Sequence, residues 1–334
     1  MTVPTTEVGA YPGSLARFPF SIPEGPFVYR SNVEPALVAE HTAAGSWGET
    51  LFDVNPLWDA EVALRRQVLA ADPRRAFASP HMHLAQWDTL VLMMEHLNAV
   101  DPCTFRYARD GAQISWTNGR TGDTLECTFG DDSTLPAAGT GRRSALHYIG
   151  TQVPEDIVLL DQRDGQLWFG AGLVTFASAW SIAFTAGMSF TDIHGPVPRI
   201  KEEGVVGRAE QFLMRLTPEK PYRRTNFAFS LGRDLDISME VSDRWLPAKE
   251  AAVDAPDLME RLHGRVEVQH FFRLPHSGAV IMTVRTHLER LADLVTVPEW
   301  KARLREYFTT MPADIRLDKG ITRYEDRLLE FLDS

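Results

Sequence analysis

The stretch DIVLLDQRDGQLWFGAGLVTFA, residues 156–177, reads as two β-strands joined by a turn near Arg163-Asp164-Gly165. Its second half opens a run, Gly165 to Thr191, that holds no Asp, Glu, Lys or Arg. The run is long enough to raise a membrane span. Yet Gly170, Gly172 and Gly187 interrupt it, Ser, Thr and Ala crowd it, and no basic anchors flank it. The pattern therefore predicts a buried strand followed by helix inside a soluble fold. SAWSIAFTAGMSFTDIH (178–194) supplies helical segments that end at His194, where Gly195, Pro196 and Pro198 stop any helix.

Further along, VGRAEQFLMRL (206–216) has helical spacing. YRRTNFAFSLG (222–232), RVEVQHFFRLP (265–275) and GAVIMTVRTHLERL (278–291) read as consecutive antiparallel strands. Two strands, a helical crossing and a three-stranded meander describe an α+β fold, an antiparallel sheet with helices on one face. PAS domains share that order, and most of them hold no cofactor. In those that bind haem, the axial histidine comes from the last helix before the meander and distal groups come from the meander strands. His194 occupies the first place here, and Arg224, Asn226, Arg273 and Arg285 lie on the meander.

Upstream, residues 1–55 are rich in Pro and Gly and read as a wrapping arm. DAEVALRRQVLAAD (59–72) is a helix with Asp59 as its N-cap. LAQWDTLVLMMEHLNAV (84–100) is a second, with Leu84, Trp87, Val91 and Met94 on one inward stripe. Residues 104–129 alternate aromatic and polar, with turn signals at Asp110-Gly111 and Asn118-Gly119, which is the pattern of a β-hairpin. Helices at 297–308 and 322–332 end the chain. The expected organisation is an N-terminal region of arm, helices and hairpin (1–145), a PAS-like core (146–292) and C-terminal helices (293–334), packed as one unit.

Composition narrows the function. A formal charge of −11 with scattered basic pairs argues against a nucleic-acid partner. Two cysteines, Cys103 and Cys127, support neither a disulfide framework nor a zinc or iron–sulfur site. MTVPTTEVGAYPG lacks a basic n-region and an apolar h-region, so a cytoplasmic protein is expected, with no membrane association. P-loop, GxGxxG and GxSxG motifs are absent. HMH (81–83) has His-x-His spacing but no companion carboxylate at a recognisable distance, and reads as a loop or helix cap.

His194 has two readings. It is the proximal ligand of a haem whose apolar slot is lined by Phe176, Trp180 and Phe190, or it is a histidine satisfied at a helix end. Arg224 and Asn226 alternate on one strand and share a face, where they offer hydrogen-bond donors to a ligand. Arg265, Glu267 and Gln269 share a face of the next strand, and a buried Arg–Glu pair there is as readily a structural network. Arg273 and Arg285 are candidates for pairing with haem propionates.

The segments together resemble the haem-binding α subunit of the haem-dependent oxidative N-demethylases, the dimethylamine monooxygenase type. The resemblance rests on VPEDIVLLDQRDGQLWFGAGLVTFASAW and on Trp180, Gly187, Ile193, His194 and Pro196-Val197-Pro198 in the spacing W-x6-G-x5-IH-x-PVP. It continues through RTNF (224–227), R-x-E-x-Q (265–269), RLPHSGAV (273–280), VRTHLERL and MPADIRLDKG. It implies a PAS-like domain holding haem b, with His194 as the iron ligand and Arg224 as a distal group near bound oxygen; Asn226 and Glu267, read from their strands, complete the candidate catalytic set. The implied reaction activates dioxygen at haem, hydroxylates an N-methyl carbon and releases formaldehyde, with electrons from a separate flavin and iron–sulfur reductase. Thr185 stands where the family usually has Lys, Phe227 where it has Trp, and Asp318 where it has Tyr. These departures leave the substrate open beyond an amine. A haem-PAS gas or redox sensor, or a non-catalytic haem-binding subunit, is the alternative reading.

Overall fold

The computed structural model describes residues 8–28, 31–137, 143–199 and 203–334. Residues 1–7 of the expected N-terminal arm, Arg142 and Ile200 lie outside that set. A seven-stranded antiparallel sheet is formed by Glu34–Pro35 (β1), Ala76–Ala78 (β2), Asp156–Arg163 (β3), Gln166–Leu173 (β4), Tyr222–Leu231 (β5), Leu262–Arg273 (β6) and Val280–Arg290 (β7). The strand order is β1-β5-β6-β7-β3-β4-β2. Asp164 and Gly165 join β3 to β4 with φ of 52° and 73°, a turn whose twist matches its flanking strands. The meander β5-β6-β7 is in continuous register, with Asn226 opposite Glu267 and Glu267 opposite Thr286.

Alternation along the strands divides the sheet into two faces. On the first face Ile157, Leu159, Phe272 and Ile281 pack with helices Trp58–Ala71 (α1), His83–Val100 (α2) and Ala145–Gly150 (α3). On the second, Val158, Leu160, Phe271 and Val280 pack against the crossing segment, which holds Ile182–Thr185 (α4), Phe190–Ile193 (α5) and Val205–Met214 (α6). The crossing helices thus occupy one face, as expected. The far end of the first face, with Phe227, Val266 and Val268, is covered by the C-terminal helices Pro298–Thr310 (α7), Ala313–Asp318 (α8) and Glu325–Asp333 (α9).

Three local expectations are corrected. Asp59 is inside α1, in its first turn, and pairs with Arg120 at 2.7 Å; Asn55 instead accepts the Leu57 amide at the helix entrance. Leu84, the second residue of α2, is exposed while Trp87, Val91 and Met94 are buried; from Ala85 onward α2 is buried on most sides. Its partners are the main sheet and a separate three-stranded sheet, Phe105–Asp110, Gln113–Asn118 and Asp123–Thr128, which replaces the expected hairpin. No helix among the described residues is long and apolar enough to cross a membrane.

Buried charges tie the elements. Arg65 of α1 is fully buried and reaches Asp156 at 2.8 Å, while Asp156 also accepts the Thr175 and Phe176 amides. Asp88 of α2 accepts the amides of His276 and Ser277, pinning the β6–β7 turn to a helix nearly two hundred residues away in sequence.

Candidate active site

The site forms where the uncharged run turns back on the sheet. Ser181 caps α4 by accepting the Phe184 amide, and Gly187 takes a left-handed φ of 82° that lets the chain reverse. The Gly187 amide then donates to Phe169, and the Phe169 amide donates to Met188, so the turn extends the outer edge of β4. Ser189 caps α5: its hydroxyl accepts the Asp192 amide at 3.1 Å and donates to the Asp192 carboxylate at 2.6 Å. His194 follows as the C-cap residue.

The His194 Nδ1 lies 2.7 Å from the Phe190 carbonyl oxygen. A carbonyl only accepts, so Nδ1 carries the proton and Nε2 keeps its lone pair. The Phe190 ring packs on the imidazole at 4.3 Å between centroids. Burial pushes the imidazole pKa below its ordinary value, the Phe190 hydrogen bond opposes this, the Arg224 charge adds to it and the Glu210 charge counters it. At neutral pH the ring is neutral.

Facing this turn is the middle of the second sheet face, where Arg224 and Asn226 of β5 stand beside Glu267 and Gln269 of β6. These side chains are half-buried. Gln269 donates to Glu267 at 3.3 Å, and Arg265 lies 3.7 Å from the same carboxylate. Arg265 itself is buried and committed to the carbonyls of Phe176 and Leu235. Lys319, just after α8, donates to the Phe227 carbonyl at 2.9 Å. Burial lowers its pKa, and Arg224 adds to this while Asp318 and Glu267 oppose it.

Phe190 packs on His194, Trp180 and Phe190 both pack against one apolar cluster with Val158 and Leu160, and Arg224, Asn226 and Glu267 lie on neighbouring strands. Three expected residues go elsewhere. Phe176 packs with Val8, Leu235 and Leu288 in a different cluster, because its amide is captured by Asp156. Arg273 shares the face of Glu267 but lies at the strand end, where it donates to the carbonyls of Leu213, Met214 and Leu216 that finish α6. Arg285 is one residue out of phase with Val284 and Thr286, so it points to the first face and pairs with Glu61. Arg273 thus has its donors taken by backbone carbonyls, and Arg285 is committed to Glu61 on the opposite face. His81 and His83 each pair with an aspartate, Asp161 at 2.8 Å and Asp132 at 3.1 Å, and among the described residues no group of three metal-ligating side chains occurs.

Glu210 was not foreseen, although a signal was present. Val206, Glu210 and Leu213 fall at helical spacing on the buried stripe of α6, which makes Glu210 an inward-facing acid.

The arrangement fits haem at the level of its donors: a neutral imidazole with a defined tautomer and an available Nε2, beside an aromatic cluster and a half-open sheet face. A family model described as haem-dependent oxidative N-demethylase, alpha subunit-like, matches residues 43–329. That span contains the crossing segment, the meander and Lys319.

Proposed function

The chain belongs to the haem-dependent oxidative N-demethylase, alpha subunit-like family, and we propose that it binds haem b through His194 and oxidises an amine, most simply by N-demethylation. The observation that carries this reading is the His194 hydrogen bond to the Phe190 carbonyl, which leaves Nε2 as the donor atom. The strand order supports a PAS-like core over residues 146–292, with regions 1–145 and 293–334 packed on it. When bound, the haem supplies reductive activation of dioxygen and oxidation of an N-methyl carbon, whose carbinolamine product collapses to amine and formaldehyde.

The chain's own residues do the rest. The Phe190 carbonyl holds the Nδ1 proton and so keeps the imidazole in the tautomer that binds through Nε2. The Phe190 ring, packed on the imidazole, shields the histidine's side of the site from water. Arg224 and Asn226 present nitrogen donors from the facing strand, where a low-dielectric setting strengthens each oriented hydrogen bond. Glu267 offers a carboxylate to an alkylammonium, and Gln269 fixes its orientation. Electrons come from a separate flavin and iron–sulfur component, in keeping with an alpha-subunit-like chain. The chain works as a cytoplasmic subunit with free thiols.

The test is the absorption spectrum of protein purified with haem supplied. The wild type shows a Soret band that His194→Ala loses or shifts; a colourless wild type refutes the haem reading. Reductant, oxygen and a panel of methylated secondary amines then yield formaldehyde, and none across the panel refutes demethylation.

A further inference from the structure

Building on the haem reading of His194, we propose that Glu210 is its positioning residue: it ties the turn that ends at His194 to the sheet. Glu210 is 8% exposed, on the inward stripe of α6. One carboxylate oxygen accepts the Leu167 amide at 2.8 Å, and the other accepts the Thr191 hydroxyl at 3.3 Å. One side chain therefore joins α6, the outer edge of β4 and the α5 turn that ends at His194. The β4 edge needs such a partner, because β2 covers it only at residues 171–173.

A neutral amide of the same shape would keep the Leu167 hydrogen bond through its oxygen and donate from its nitrogen to the Thr191 hydroxyl, without the cost of burying an ion. The charge has an electrostatic consequence at the histidine. Charged groups reach His194 from two other elements, Arg224 on β5 and Glu210 on α6, with opposite effects. Within its own turn, Asp192 is occupied by the Ser189 hydroxyl. Glu210 thus counters Arg224 in part at the imidazole. Once iron is bound, a nearby anion favours the more positive oxidation state and lowers the reduction potential.

Two variants separate position from charge. Glu210→Gln keeps an acceptor oxygen for the Leu167 amide and removes the charge; Glu210→Leu removes both. Amide hydrogen exchange of the haem-free protein reads position. Exchange at Leu167 and residues 189–194 is expected to rise about tenfold in Glu210→Leu and to stay near wild type in Glu210→Gln. Unchanged exchange in Glu210→Leu overturns the positioning role. The reduction potential of the haem-loaded protein reads charge. In Glu210→Gln the reduced form is expected to gain about tenfold, equivalent to about 59 mV for a one-electron couple. A potential equal to wild type overturns the electrostatic role. A wild type that retains no haem refutes the haem reading instead, and the exchange measurement still decides whether Glu210 holds the turn.

Discussion

Replacing Glu155 by Gln should make the protein more resistant to neutral and alkaline pH, by an amount the structure sets. Glu155 is fully buried, and neither of its carboxylate oxygens meets a hydrogen-bond donor among the described residues. The nearest cation, Arg285, is 4.0 Å away and already paired with Glu61. Burial pushes the Glu155 pKa from 4.5 up to about 7, against the opposing charge of Arg285. A folded-state pKa above the unfolded one means that the folded protein holds the proton more tightly. The favourable balance is therefore complete below the unfolded value of 4.5 and is lost as pH rises through about 7. The span from 4.5 to about 7, at about 1.36 kcal/mol per pH unit, amounts to about 3 kcal/mol. Gln is neutral throughout and escapes that loss. Urea denaturation of both proteins at pH values of about 4.5 and 8 measures it. The stability difference, variant minus wild type, should grow by about 3 kcal/mol between the two, or about 1 M in midpoint at a slope of about 3 kcal/mol/M. A difference that stays flat or shrinks with rising pH would mean that Glu155 is stabilised as an anion, and the reasoning would fail.

The remaining predictions follow from buried polar groups on the same side of the sheet. Asp88→Ala removes the acceptor for the His276 and Ser277 amides and should cost about 2–3 kcal/mol, with faster hydrogen exchange at Ser277; unchanged exchange there would show that the turn holds itself. His270 is buried with neither ring nitrogen hydrogen-bonded, and burial lowers its pKa from 6.5 to about 3. Its folded pKa lies below the unfolded one, so it withdraws stability as pH falls from 6.5 toward about 3. His270→Phe should flatten that acid limb at little cost near pH 7, measured by thermal melting, and a steeper acid limb in the variant would contradict it.

Much of the fold was legible because its signals are local. Apolar runs bounded by a turn mark β3 and β4, a period of two marks β5 and much of β6, and the Asp164-Gly165 turn announces the first hairpin. The same period put Arg224 with Asn226 and Glu267 with Gln269, and the continuous register makes the two pairs neighbours. Legibility failed where a long-range partner decided the outcome. Phe176 belongs to the same uncharged run as Trp180 and Phe190, yet Asp156 draws its backbone away from them. Arg273 has the parity expected of a site residue, but the carbonyls at the end of α6 consume its donors. The Asp59 cap failed for a smaller reason: the helix starts at Trp58, one residue earlier than expected, so Asp59 falls in its first turn, and Asn55 accepts the Leu57 amide at the entrance.

Residue order and alternation sufficed for the strand sequence, the position of His194 at a helix end and the membership of each side chain in one of two faces. Those properties depend on neighbours within a few residues, where backbone geometry fixes direction. Which face receives the histidine is not local. It was decided when α4 to α6 packed over Val158 and Leu160 while α1 to α3 took Ile157 and Leu159. That choice sent Arg285 to Glu61, away from the site, and left Glu267 to face it. The tautomer of His194 likewise awaited the fold, because only the closed turn sets the Phe190 carbonyl 2.7 Å from Nδ1.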